Sequence, residues 1–178
     1  YEDPAGSLSD GKGSYLYAGM TNANSTRRGL LAFDLSSIPA GSTVTAVRFT
    51  VHVSRTSAAS EPMRLSRALR DWGEGASNSD GTLGGGTGVQ AEAGDATWLN
   101  TFYQTAQWAT PGGDFASTPS STVNMVGIGF YAFTGAGLVQ DVQAWLNAPA
   151  TNFGWGLLGN ESTSGTAKRR SEEHTSEL

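Results

Sequence analysis

Residues 43–55 read TVTAVRFTVHVSR, in which Val47, Phe49, Val51 and Val53 alternate with Arg48, Thr50, His52 and Ser54. A period of two marks a β-strand with one face buried and one wet, because successive side chains point to opposite sides of the sheet. This stretch decides the fold class, and the rest of the chain is read by asking which segments pair with it.

Upstream, GSYLYAG (13–19) and RGLLAFDL (28–35) read as the first strands, with Leu31, Phe33 and Leu35 sharing a face. Between them and the central strand lies SIPAGS (37–42), a turn in which Pro39 fixes the backbone and Gly41 frees it. Downstream, Met63, Leu65 and Leu69 continue the pattern as far as DWGEG (71–75). Strands resume at 122–125 and 129–133. Leu138, Val142, Trp145 and Leu146 then fall at helical spacing, with Asp141 near the start, so one short helix is expected, ended by Pro149. NFGWGLL (152–158) closes the series with Phe153, Trp155 and Leu157 on one side. Gly154 and Gly156 on the other side leave room for a close approach.

Residues 76–121 break the alternation. Gly84-Gly85-Gly86 and Gly112-Gly113 punctuate a long, loop-rich insertion that carries Trp98, Phe102, Tyr103 and Trp108. Loops of this length are functional or poorly ordered, and the aromatic residues argue that this one is pinned to the strands.

Composition agrees with the pattern. The 178 residues suit one domain, and 15% charged residues with 24 glycines fit an all-β chain with many turns rather than a helical bundle. The net charge is -5, with Arg and Lys adjoining only at Arg27-Arg28 and Lys168-Arg169-Arg170. No nucleic-acid partner is expected, since counterion release from phosphates needs a concentrated cationic surface. No membrane insertion is expected either, since no stretch approaches the roughly twenty apolar residues of a span. With no cysteine, disulfides, thiolate nucleophiles and cysteine-ligated metals are excluded. The last nine residues, RSEEHTSEL (170–178), read as a translated sequencing-library adapter and are set aside, which leaves His52 as the remaining histidine. The abrupt start at Tyr1-Glu2-Asp3-Pro4 is read as a cut inside a longer protein.

Several pieces in order resemble the DNRLRE domain family of bacterial and archaeal secreted proteins. RGLLAFDLSSIPAG (28–41) resembles the family's R-x-L-L-x-F-D-L-x-x-I-P-x-G core, and 43–53 resembles the strand after it. DWGEG (71–75), DATW (95–98) and Trp108 followed by GGDF (112–115) are similar to loop motifs of one subgroup. DVQAWL (141–146) and NFGW (152–155) resemble its helix and penultimate strand. The resemblance covers residues 1–169, and its order makes it specific. It implies a jelly-roll β-sandwich of two antiparallel sheets, lying beside catalytic or adhesive domains in exported, extracellular or cell-surface proteins. After Lys168-Arg169 the family's F-x-[ST]-R-E segment is not found, so the terminal strand is expected to be missing and an unpaired edge to remain.

Chemistry follows from residue types. His52, on the polar face of its strand and without a G-x-S-x-G turn, reads as a surface histidine rather than a triad member. Asp71, Glu74, Asp95 and Asp114 offer no paired-carboxylate pattern, and Asp71 and Glu74 read as turn-tying groups. No enzyme is expected. Binding of polysaccharide or cell-wall glycan is the leading reading, because sugar rings pack flat C–H faces on aromatic side chains. Trp145 and Trp155 are assigned to the core, which leaves Trp72, Trp98, Tyr103 and Trp108 in loops as platform candidates. Packing beneath the insertion is the commoner fate for such residues. Arg64, Arg67 and Arg70 are candidates toward an acidic polymer, with Arg67 facing away from the other two in a strand, and a solvated strand face is the plainer reading. A structural calcium ion is compatible with a cysteine-free jelly roll, and Asn78-Ser79-Asp80-Gly81 resembles part of a loop site, with ligands not assignable. The rival reading is a structural spacer or adhesion domain that presents neighbouring domains of a larger secreted protein.

Overall fold

The computed structural model describes residues 1, 6–80 and 86–171. Eight strands form the body: β2 (Tyr15–Met20), β3 (Thr26–Leu31), β4 (Phe49–Thr56), β5 (Glu61–Arg67), β9 (Ser121–Met125), β10 (Gly129–Phe133), β11 (Trp155–Leu158) and β12 (Lys168–Ser171). They run antiparallel in the order β10-β4-β12-β2-β3-β11-β5-β9. β2 and β3 pair only at Gly19–Arg27 and Met20–Thr26, so the order divides there into two four-stranded layers. The turn between β9 and β10 joins the far edges. Counted along the chain, the first, third, sixth and eighth of these strands make one layer and the others the second, which is the jelly-roll arrangement.

The alternation read in the sequence decides which faces meet. Val51, Val53, Ala18 and Phe133 of the first layer face Met63, Leu65, Met125, Trp155 and Leu157 of the second in one buried cluster. The strand expected over 43–55 begins only at Phe49. Val44 and Val47 still pack against the core, but the Val44 N–H donates to Gln143 Oε1 at 2.9 Å instead of to a neighbouring strand. The first strands are likewise shorter than expected, and Phe33 lies beyond the end of β3, 41% exposed.

Helix α1 (Ala136–Asn147) follows β10 and ends just before Pro149, as its spacing predicts. Leu138, Val142 and Trp145 turn into the core, where Trp145 meets Trp155 edge-on at 4.6 Å. Asp141 follows them inward. Its Oδ2 accepts from Trp155 Nε1 at 2.8 Å and from Ser120 Oγ, and Oδ1 lies 3.4 Å from Arg67 Nε. A buried carboxylate is tolerable only with such partners.

One expectation is overturned. The terminal strand is present: Lys168–Ser171 forms β12, paired with β2 on one side and β4 on the other. A ladder draws on backbone N–H and C=O groups, which any sequence supplies, so the absence of the family's closing motif did not leave a gap. Arg170 and Ser171 therefore belong to the sandwich, and the rest of the adapter-like stretch lies outside the described residues.

The long connections gather at one end of the sandwich, here the loop end: residues 32–48, the insertion at 68–120 and α1. The opposite, turn end carries the short connections at 21–25, 57–60 and 126–128 together with the segment 159–167. The insertion contains β6 (Val89–Gln90), which pairs with β1 (Leu8–Ser9), and a hairpin of β7 (Asn100–Phe102) and β8 (Ala106–Gln107). It folds back over the outer face of β3-β11-β5. Phe115 settles on Gly156, where a Cβ would stand 2.4 Å from the ring. The bare backbone foreseen at Gly156 is the seat of that ring.

Candidate functional site

The loop aromatics are pinned down one by one. Trp108 is only 5% exposed, donates Nε1 to Thr97 O at 2.9 Å and leans on Phe115. A residue so enclosed cannot serve as a platform, which removes it from the candidates. Trp98 lies under the Arg28 guanidinium, 4.7 Å from the ring centre, with Tyr1 against its edge. Arg28 is itself clamped by both oxygens of Glu161, at 2.7 and 2.6 Å, and by Gly112 O at 2.6 Å. Burial within this cluster pushes the Tyr1 hydroxyl pKa upward, with Arg28 opposing. Trp72 donates Nε1 to Phe153 O at 2.7 Å, and the Tyr103 hydroxyl accepts from Gln90 Nε2 at 2.9 Å.

The arginines do not converge either. Arg64 is exposed and reaches Gly159 O, Arg70 Nε pairs with Asp114 Oδ2 at 2.7 Å, and Arg67 turns inward to Asp141, away from Arg64 as a strand requires. Buried Asp95 ties the insertion by accepting the N–H groups of Glu92 at 2.7 Å and Ser77 at 3.4 Å. In the loop resembling a calcium site, Asn78 Oδ1 accepts from Asp80 N. The Asp80 carboxylate accepts both N and Oγ of Ser14, which holds its pKa below the ordinary value. Gly81 lies outside the described residues. Among the described residues no group of three His, Asp or Glu side chains could hold a metal ion.

The structure draws attention to a surface the sequence reading passed over. The insertion covers the outside of the second layer, and the outside of the first, β10-β4-β12-β2, carries the row Phe130, His52, Ser171 and Tyr15, one residue per strand. Cross-strand register sets His52 opposite Phe130 and Ser171 opposite Tyr15. Phe130 is 68% exposed and stacked on His52 at 4.6 Å, so the histidine backs one face of the ring and the other faces outward. His52 Nδ1 lies 3.3 Å from Ser171 Oγ. Arg169 joins the row, its guanidinium 4.0 Å from the Tyr15 ring centre and its Nε donating to Ser54 Oγ at 3.1 Å. A cleft of about 780 Å³ opens between this layer and β3, lined on one side by Tyr15, Tyr17, His52, Phe130 and Ser171 and elsewhere by residues of β3 and the insertion, Arg28, Trp72 and Glu74 among them. The row offers aromatic faces, hydroxyls and a cation, and none of its residues is acidic.

The signal was in the sequence. In GSYLYAG the alternation that turns Leu16 and Ala18 toward the core turns Tyr15 and Tyr17 to the other face together. No protein-family model, curated protein or solved structure matches the chain.

Proposed function

We propose that the chain is a non-catalytic, extracellular accessory domain of the DNRLRE type that binds polysaccharide or cell-wall glycan on the outer face of β10-β4-β12-β2. The observation that carries this reading is the Phe130–His52–Ser171–Tyr15 row beside the cleft. A ring exposed on one face and backed on the other is preorganised for a sugar's C–H face, and flanking hydroxyl and guanidinium groups suit its oxygens. The order of sequence motifs and the jelly-roll topology support the family assignment. Fold alone is a weak warrant for a job, so the argument rests on the face. His52 is engaged by Phe130 and Ser171.

Affinity gel electrophoresis against a panel of neutral and acidic polysaccharides tests the proposal. Retardation on at least one polymer, lost in Phe130→Ala and in Tyr15→Ala with folding intact, is the expected result. No retardation on any polymer favours the spacer reading, to which the packed state of Trp98 and Trp108 already lends weight. Release of shorter products from a polymer would instead mean an enzyme.

A further inference from the structure

Given that the row binds glycan, as proposed above, its layout also selects the form of glycan that fits. Phe130, His52, Ser171 and Tyr15 stand on successive strands, β10, β4, β12 and β2, so the row crosses the strands instead of following one. Register keeps it straight. Phe130 lies opposite His52, Arg170 opposite Val53 and Ser171 opposite Tyr15, which sets Ser171 level with His52 where β12 meets β4. The alternation that turns His52 and Phe130 outward also turns out Thr50, Ser54 and Ala132, none of them aromatic. A sugar chain lying along β4 or β10 would therefore meet one ring at most, and a chain lying across the strands meets the whole row.

Neighbouring strands lie about 4.8 Å apart, so the three intervals from Phe130 to Tyr15 span about 14 Å. A pyranose residue advances a linear chain by about one such interval, so the row addresses about four consecutive sugars, one per strand. The two ends differ in kind. Phe130, 68% exposed, offers a ring face. At the other end Arg169 lies over the Tyr15 ring, 4.0 Å from its centre, and brings a guanidinium to the tyrosine hydroxyl's side of the sheet. His52 and Ser171 supply polar groups between them. A disaccharide reaches one end and not the other.

Twist narrows the choice further. Adjacent strands are rotated by about 20–25°, so over the three intervals the row winds through roughly 60–75°. A single dissolved chain follows such a turn by rotating about its glycosidic bonds. The flat face of a crystalline polymer does not, and it would leave either Phe130 or Tyr15 untouched.

We infer that this face selects a single soluble glycan chain, laid across the strands and read over about four consecutive sugars from Phe130 to Tyr15. The test pairs affinity gels of hydroxyethylcellulose, xylan, glycol chitin and polygalacturonate with calorimetric titration of the whole chain by the matching oligosaccharides, from disaccharide to hexasaccharide. Pull-down on microcrystalline cellulose and on crystalline chitin runs alongside. In a series whose polymer retards the chain, affinity is expected to rise about tenfold from disaccharide to tetrasaccharide and to level off there. Phe130→Ala is expected to erase the gain between trisaccharide and tetrasaccharide with little change in thermal midpoint, because the ring is exposed. Neither crystalline solid is expected to retain the chain. A disaccharide that binds as tightly as the tetrasaccharide, an affinity still climbing at the hexasaccharide, a gain that survives Phe130→Ala, or retention on a crystalline solid overturns the inference and leaves glycan binding standing. So does a polymer that retards the chain while its hexasaccharide does not bind. No retardation on any gel removes glycan binding itself, and this inference with it.

Discussion

Asp141→Ala removes the acceptor at the centre of a polar knot beneath α1. Asp141 Oδ2 takes the Trp155 Nε1 hydrogen at 2.8 Å, and Trp155 is 2% exposed, so no water can replace the lost partner. A hydrogen bond to a charged acceptor contributes about 1.5–3 kcal/mol, and a buried donor left unsatisfied costs about 1–3 kcal/mol. These are two views of one deletion and are not summed. The expected loss is about 3 kcal/mol. The Arg67 side chain is 40% exposed, so its ion pair adds only about 0–1 kcal/mol. Asp141→Asn keeps an oxygen facing Trp155 and gives up only the charge, for an expected loss of about 1 kcal/mol. At about 2–4 °C per kcal/mol for a chain of this size, alanine lowers Tm by about 6–12 °C and asparagine by about 2–4 °C. Urea unfolding with an unchanged slope gives the free energies. Equal losses from the two variants would assign the stabilisation to the charge opposite Arg67, and an alanine loss below about 1 kcal/mol would leave the knot without weight. Either result refutes the reasoning.

Other substitutions separate packing from binding. Gly156→Ala drives a Cβ into the Phe115 ring and is expected to cost about 1–3 kcal/mol by urea unfolding, with little effect if the insertion does not sit on β11. Trp108→Ala is expected to cost about 3–5 kcal/mol, so any loss of glycan retardation in that variant must be read alongside its near-ultraviolet circular dichroism. Phe130→Ala is expected to shift stability by no more than about 0.5 kcal/mol while weakening retardation on the gel. Burial pulls the Lys168 pKa below its ordinary 10.5, with Glu61 opposing. The unfolded chain therefore holds that proton more tightly than the folded one, and stability climbs as pH rises from the folded value toward 10.5. Lys168→Met is expected to flatten that slope in urea unfolding on the alkaline side of neutral.

The layers were legible because burial imposes a period. Val51 and Val53, Leu157 beside Trp155, and the helical spacing of Leu138, Val142 and Trp145 all occupy the core places that their patterns assign. What the pattern could not give was the partner of each backbone group. Val44 and Val47 keep the alternation but lie outside any ladder, since Gln143 takes the Val44 N–H. β12 was missed because its KRRS sequence has no apolar stripe, only backbone placed between two waiting strands. The candidate site was legible in one respect alone, that Tyr15 and Tyr17 share a face. Aromatic residues in loops attracted attention by type, yet Trp98 and Trp108 are spent on holding the insertion, and type says nothing about which rings a fold leaves uncovered.

The place of β12 bears on the order in which the molecule can assemble. Translation delivers Lys168–Ser171 after every other strand, yet this segment belongs in the interior of its layer, between β2 and β4. While a nascent chain is still emerging, those two strands have no direct contact to make, and the layer cannot zip from one side. Productive collapse waits for the most sequence-distant pairing in the fold, the kind of topology that slows folding and prolongs exposure to aggregation.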